Sequence, residues 1–304
     1  MTLTPLQIWT AAARPRTLFA AAAPVLLGTA LAYADGGAHG PSALVALACA
    51  LLLQIGANFV NDLADFEKGA DTKEGRIGPL RVVSAGLVAP ATMRRAVVFT
   101  FALAFVLGLY LVARGGWPIL AVGLASIAAA VAYTAGKNAL AYLGLGDLFV
   151  LIFFGPVAVA GTHYVQTLQF SWPAVLAGIG PGLIAVAILV ANNLRDVQGD
   201  RAAGKRTLIV RFGGGFGKAL FAACYIGAAL VPVAYWLWTG RHPGAMAAAW
   251  VLPMAIPLLK TVFATRPETD DPKALARTLI PVLGRTGQLL FVYAVLFSLG
   301  VALT

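Results

Sequence analysis

"SALVALACALLLQIGA", residues 42–57, runs without a charge and leads directly into "NFVNDLADFEKGADTKEGRIGPLR", residues 58–81. The second piece holds Asp62, Asp65, Glu67, Asp71 and Glu74 beside Lys68, Lys73, Arg76 and Arg81. The first piece suits lipid, and the second suits water or a charged ligand. A helix needs about 20 largely apolar residues to cross the roughly 30 Å hydrocarbon core, and runs of that kind recur along the chain. Of its 304 residues, 60% are hydrophobic and 11% charged, and the mean hydropathy is +0.84, far from soluble usage. An all-α integral membrane protein follows, built as a single polytopic domain over 1–304. The runs are continuous and rich in Ala, Leu and Val, which excludes the alternating strands of a transmembrane barrel.

Nine transmembrane helices are expected, over 17–34, 42–63, 93–113, 117–134, 147–166, 173–196, 218–239, 244–264 and 285–303. Basic residues collect on the cytoplasmic side of membrane proteins. With the N-terminus cytoplasmic, every one of the 22 Lys and Arg residues except Arg114 and Arg241 falls on the inner side. The span count and the orientation therefore support each other. The formal net charge of +10 is then topology plus attraction to anionic lipid, and the expected partner is the bilayer, with no nucleic acid. Cys49 and Cys224 lie inside spans without metal-ligand spacing. "GGGFGK", residues 213–218, lacks the positions of a phosphate loop and reads as a connector before the seventh span. His163 reads as a hydrogen-bonding residue inside the bundle.

Seven of the 12 acids lie in two segments, the one above and "NNLRDVQGDRAAGKRTLIVRFG", residues 192–213. Asn58, Asp62 and Asp65 are spaced i, i+4, i+7, and Asn192, Asp196 and Asp200 are spaced i, i+4, i+8, so each trio shares a helical face. The segments close the second and sixth spans, which suggests two related four-helix halves plus a ninth helix. Ionisable groups at the margin of a membrane core are costly and mark function. Carboxylates that face each other need a cation between them, and hard oxygen ligands point to Mg²⁺, which is held by one or two carboxylates together with substrate phosphates. Bases in the adjoining loops, Lys68, Lys73, Arg76 and Arg81 on one side and Lys205, Arg206 and Arg211 on the other, would balance a diphosphate. Arg76 and Lys205 are the favoured contacts among them.

At these residues the chain resembles the UbiA superfamily of intramembrane prenyltransferases, and within it the 1,4-dihydroxy-2-naphthoate polyprenyltransferases of menaquinone synthesis. "ARPRTLFAAAAPVLLGTALA" is similar to that branch's opening, and "NDLADFEKGADTKEGRIGPLR" to its first aspartate-rich motif. "YTAGKNALAYLGLGDLFVLIFFGPVAVAGTHYVQT" resembles its central segment, and "NNLRDVQGDRAAGKRTLIVRFG" its second motif. The resemblance implies Mg²⁺ as cofactor, with metal or diphosphate roles for Asn58, Asp62, Asp65, Asn192, Asp196 and Asp200, and Asp71 as a further metal candidate. It also implies Tyr133 and Lys137 near the diphosphate. The implied reaction joins a prenyl diphosphate to an aromatic acceptor, releasing pyrophosphate and CO₂, and oxidation of the ring then gives demethylmenaquinone, at the cytoplasmic face of the cell membrane. Two alternatives stay open at this point. One is another acceptor such as 4-hydroxybenzoate or homogentisate. The other is a transporter for a divalent cation or an anion, whose site would be expected nearer the midplane.

Overall fold

A computed structural model of the protein describes residues 3–69, 80–136 and 139–304. Among the described residues there are twelve α-helices, one 3₁₀ segment and no strand. In order they are α1 (Pro5–Ala13), α2 (Pro15–Ala34), α3 (Gly40–Glu67), α4 (Pro90–Gly115), α5 (Trp117–Ala132) and α6 (Leu140–Leu143). There follow α7 (Gly146–Phe153), α8 (Pro156–Thr167), α9 (Trp172–Ala202), α10 (Leu208–Thr239), a 3₁₀ segment (Pro243–Trp250), α11 (Val251–Ala264) and α12 (Pro272–Leu303). Proline in the first turn starts most of them, for example α2, α4, α8, α9 and α12, where its missing N–H costs nothing.

The protein is an integral membrane protein, and eight of its segments are long and apolar enough to cross a bilayer. The fourth expected span, 117–134, is not among them: α5 has only 16 residues, and none of them is buried. Other expectations need correction too. The 147–166 span is two helices, α7 and α8, broken at Phe154 and Gly155. The break lies against α9, where a Cβ on Gly178 would stand 2.7 Å from Pro156 Cα, so only glycine lets the elements touch. The expected loops 197–217 and 265–284 are mostly helix, because α9 runs to Ala202, α10 starts at Leu208 and α12 starts at Pro272. Hydropathy marks where lipid ends, whereas caps such as Thr207 and Asp271, each accepting a backbone N–H, mark where helices begin. The "GGGFGK" stretch is no connector: it lies inside α10, which is kinked at Gly213, where φ 84° and ψ 167° suit glycine alone.

Three apolar cores hold the bundle. The largest joins α2, α8, α9, α10, the 3₁₀ segment, α11 and α12 around Leu27, Ile184, Phe221, Tyr225 and Tyr293. A second packs α1, α3, α4 and the 82–88 segment through Phe59, Leu63, Val82, Val83 and Met93. A third joins α2, α3, α4 and α8 through Val25, Ala46, Leu111 and Val165. The aspartate segments end α3 and α9 on one side of the bundle. On the opposite side His163, buried as expected, hydrogen-bonds Asp35 at 3.0 Å, tying α8 to the end of α2.

Candidate active site

Between these cores lie two cavities that share a wall. A polar chamber of about 620 Å³ opens among the start of α2, the end of α3, residues 133–134 and 141–142, α7, the end of α9 and α12. An apolar cavity of about 390 Å³ extends from it, walled by α2, α3, α4, α5, α7 and α8. Ala20, Gln54, Asn61, Tyr133, Val150 and Phe154 line both. A molecule with a charged head and an apolar tail would therefore pass from one character to the other at these six residues.

The first wall comes from α3. Asp65 reaches the chamber and takes Arg81 at 2.5 Å, while its other oxygen is buried with no hydrogen-bond partner. Asn61, four residues earlier, also lines the chamber, and its Oδ1 accepts from the Thr134 hydroxyl. Asp62 and Asn58, expected to share this face, do not line the chamber. Asp62 is fully buried and accepts the backbone N–H groups of Val82 at 3.0 Å and Val83 at 3.2 Å. Asn58 donates to Ala13 O and Thr17 Oγ1, both at 2.9 Å, and so fixes the corner between α1 and α2. The reason is rotational. At 100° per residue, Gln54, Asn61 and Asp65 centre the chamber face, and Asn58 and Asp62 stand at its edge, turned toward neighbouring backbone.

The second wall, from α9, matches expectation more closely: Asn192, Asp196 and Asp200 all line the chamber. Arg195, buried among them, donates to both oxygens of Asp196 at 2.7 and 2.5 Å and to Asn192 Oδ1 at 2.8 Å. Lys205 pairs with Asp200 at 3.2 Å. Residues 133–136 and 139–145 bridge the two walls. The Tyr142 ring lies under Lys68 at 4.1 Å and Lys205 at 5.4 Å, and Lys68 donates to Thr134 O at 2.6 Å. Arg206 N–H and Arg211 reach the Tyr142 and Leu143 carbonyls. Lys68 thus binds the bridge and does not line the chamber. Gln54, Asn61, Asn193, Arg195 and Tyr142 escaped the sequence reading, although Asn61, Asn193 and Arg195 lie inside the two motifs, beside Asp62, Asn192 and Asp196. Asp71, Arg76 and Lys137 lie outside the described residues.

Charge is arranged to persist. Burial alone would lower the Lys205 ammonium, but Asp200 and Asp65 outweigh it and its pKa is raised. Lys68 is lowered, by burial first and by Lys205 as well, against the pull of Asp65. Burial pushes the Tyr142 phenol up. Among the described residues no three acidic, imidazole or thiol side chains converge enough to hold a metal unaided. Mg²⁺ does not require that, since it takes one or two carboxylates and completes its shell with water and substrate phosphate. The unpartnered Asp65 oxygen, the half-exposed Asp196 carboxylate and the chamber amides offer such hard donors.

Comparison with known proteins agrees with this geometry. The chain is 38% identical to the 1,4-dihydroxy-2-naphthoate octaprenyltransferase of Escherichia coli, over 98% of this chain and 96% of that protein. It is 37% identical to the enzyme of the same name from Mycobacterium tuberculosis, over 94% of both. The fold matches a UbiA homologue from Aeropyrum pernix with a TM-score of 0.69 at 15% identity, over 95% of this chain and 98% of that one. It also matches a UbiA homologue from Archaeoglobus fulgidus bound to DMAPP and Mg²⁺, with a TM-score of 0.63 at 13% identity, over 95% and 99% of the chains. Residues 21–283 match the UbiA prenyltransferase family, and with two aspartate-bearing helix ends facing one chamber, the chain belongs to that family.

Proposed function

We propose that this protein transfers a polyprenyl group from a prenyl diphosphate to 1,4-dihydroxy-2-naphthoate, with release of pyrophosphate and CO₂, on the cytoplasmic side of the cell membrane. The observation that carries the reading is the continuity of the polar chamber with the apolar cavity through Gln54, Asn61 and Tyr133. With the diphosphate in the chamber and the tail in the cavity, the breaking carbon–oxygen bond lies at that junction. The naphthoate acceptor is favoured by the near-full-length relatives at 37–38% identity. The cytoplasmic assignment rests on the one-sided distribution of bases.

Asp65, Asp196 and Asp200, helped by Asn61, Asn192 and Asn193, would hold Mg²⁺, which when bound neutralises the diphosphate and draws charge from the leaving oxygen. Lys205, Arg81 and Arg195 stand ready to give charge-assisted hydrogen bonds to phosphate oxygens, and Arg76 from the first motif is assigned to the same task. Tyr133 presents an aromatic face where the allylic carbon becomes cationic. Arg81, Tyr133, Thr134 and Tyr142 line the chamber beside that cation, and its enclosing walls would keep water away. The ring carbon of the acceptor closes the new carbon–carbon bond, and the carboxylate leaves as CO₂.

Incubating purified protein with prenyl diphosphates and a panel of aromatic acids tests this. Prenylated naphthalene product with dihydroxynaphthoate, lost when Mg²⁺ is chelated, is expected. Turnover of 4-hydroxybenzoate in preference to dihydroxynaphthoate would move the acceptor assignment, and turnover unaffected by chelation would remove the metal.

A further inference from the structure

Five bases line the polar chamber among the described residues: Arg14, Arg16, Arg81, Arg195 and Lys205. Three are paired with its carboxylates, Arg81 with Asp65, Arg195 with Asp196 and Lys205 with Asp200, and Arg14 is engaged as well. Arg16 differs. No ion pair or side-chain hydrogen bond holds it among the described residues, and it stands on α2, away from the aspartate-bearing walls. Across from it α12 contributes Pro272, Ala276, Leu283 and Gly287 to the chamber, without a charge among them. The approach is close: a Cβ on Gly287 would lie 3.8 Å from the Arg16 carbonyl.

The position of Arg16 is built with care. Arg14 adopts the left-handed region at φ 52°, which costs a non-glycine residue about 1 kcal/mol or more. Thr17 donates to Arg14 O at 2.9 Å, and Asn58 and Gln54 reach across from α3 to Thr17 Oγ1 at 2.9 and 3.3 Å. This brace sets where α2 begins and which way residue 16 faces. One helical turn above, about 6 Å along the axis, is Ala20, which already belongs to the junction of the two cavities.

Building on the proposed function, we propose that Arg16 and the apolar face of α12 at Leu283 and Gly287 form the subsite for the acceptor, with Arg16 binding its carboxylate. An unpaired guanidinium beside small apolar groups suits an aromatic acid: the fork takes the carboxylate and the ring lies on uncharged surface. Because Ala20, one turn along the same helix, already lies at the junction, an acid anchored at Arg16 presents its ring toward the allylic carbon. The bases paired with aspartates are left to the donor.

The test is binding without prenyl donor. Equilibrium dialysis of 1,4-dihydroxy-2-naphthoate and of its carboxamide is run against wild type, Arg16→Gln and Arg16→Lys in lipid nanodiscs. Wild type is expected to favour the acid by about tenfold or more, Arg16→Gln to bind both alike, and Arg16→Lys to keep part of the preference. The KM for the prenyl diphosphate should stay within about twofold in all three, a split that a purely structural defect would not give. Preference for the acid surviving in Arg16→Gln overturns the subsite, as does a loss confined to the donor. The readings separate. Wild type that binds the acid through Arg16 but never prenylates it keeps the subsite and rejects the naphthoate reaction. Prenylation of naphthoate with an undiminished preference in Arg16→Gln does the reverse.

Discussion

Asp62 and Asp65 sit three residues apart in one motif and do different work. Asp65 looks into the chamber, whereas Asp62 spends both oxygens on the Val82 and Val83 N–H groups, so it positions the segment from which Arg81 reaches Asp65. Removing Asp62 would leave two buried donors unsatisfied at about 1–3 kcal/mol each, while an amide at that position still accepts one of them. Asp62→Asn is therefore expected to lower turnover by no more than about tenfold with an unchanged Mg²⁺ dependence. Asp65→Asn, Asp196→Asn and Asp200→Asn should each lose about a hundredfold or more. A Mg²⁺ titration of all four decides, and an Asp62→Asn enzyme that needs far more Mg²⁺ would restore it as a ligand. Lys205 bears on pH. Its folded pKa is raised by Asp200 and Asp65, so the stability it contributes is complete below the unfolded lysine value and is lost only as pH rises through the still higher folded one. A wild-type stability profile flat from pH 6 to 9 in the Lys205 contribution, measured against Lys205→Gln, is the expected result.

At the scale of elements, a close joint splits the fifth span. The α7–α8 break lies on α9 at Gly178 and Gly182, where a Cβ on Gly182 would stand 2.6 Å from Leu151 O. Both obstacles are backbone and cannot turn aside. Gly178→Ala should cost about 1–3 kcal/mol as an overpacked joint, read as a lower melting temperature in nanodiscs, and an unchanged melt would mean the helices part freely. This break had one local sign, the Gly155-Pro156 pair inside "LIFFGPVAVAG", but hydropathy runs straight through it, and its packing partner, the glycine pair on α9, is a tertiary fact. The second motif was legible because Asn192, Asp196 and Asp200 point where their own spacing predicts. The first was legible in part, since spacing tells which residues share a face and not which face meets the chamber. Tyr142 and Gln54 had no local signature, because each gains its meaning from a partner on another element.

For the whole molecule, the aspartates, the bridge and most of the described bases share one side, which we propose to be the cytoplasmic one. In a cysteine-free background, Ala38→Cys should react with an impermeant maleimide from outside the cell and Lys273→Cys should not; the reverse labelling inverts the molecule. Eight of the expected crossings were readable from hydropathy; the remaining one, α5, has 16 residues that rise only about 24 Å. That helix walls the apolar cavity, and no residue of it is buried. An α5 that crosses the bilayer is some 6 Å shorter than the hydrocarbon core, and adjacent lipid would thin to meet it at a fraction of a kcal/mol per Å. Turnover in nanodiscs of shorter and longer acyl chains is then expected to differ, which would make membrane thickness a physical variable of this enzyme alongside its substrates.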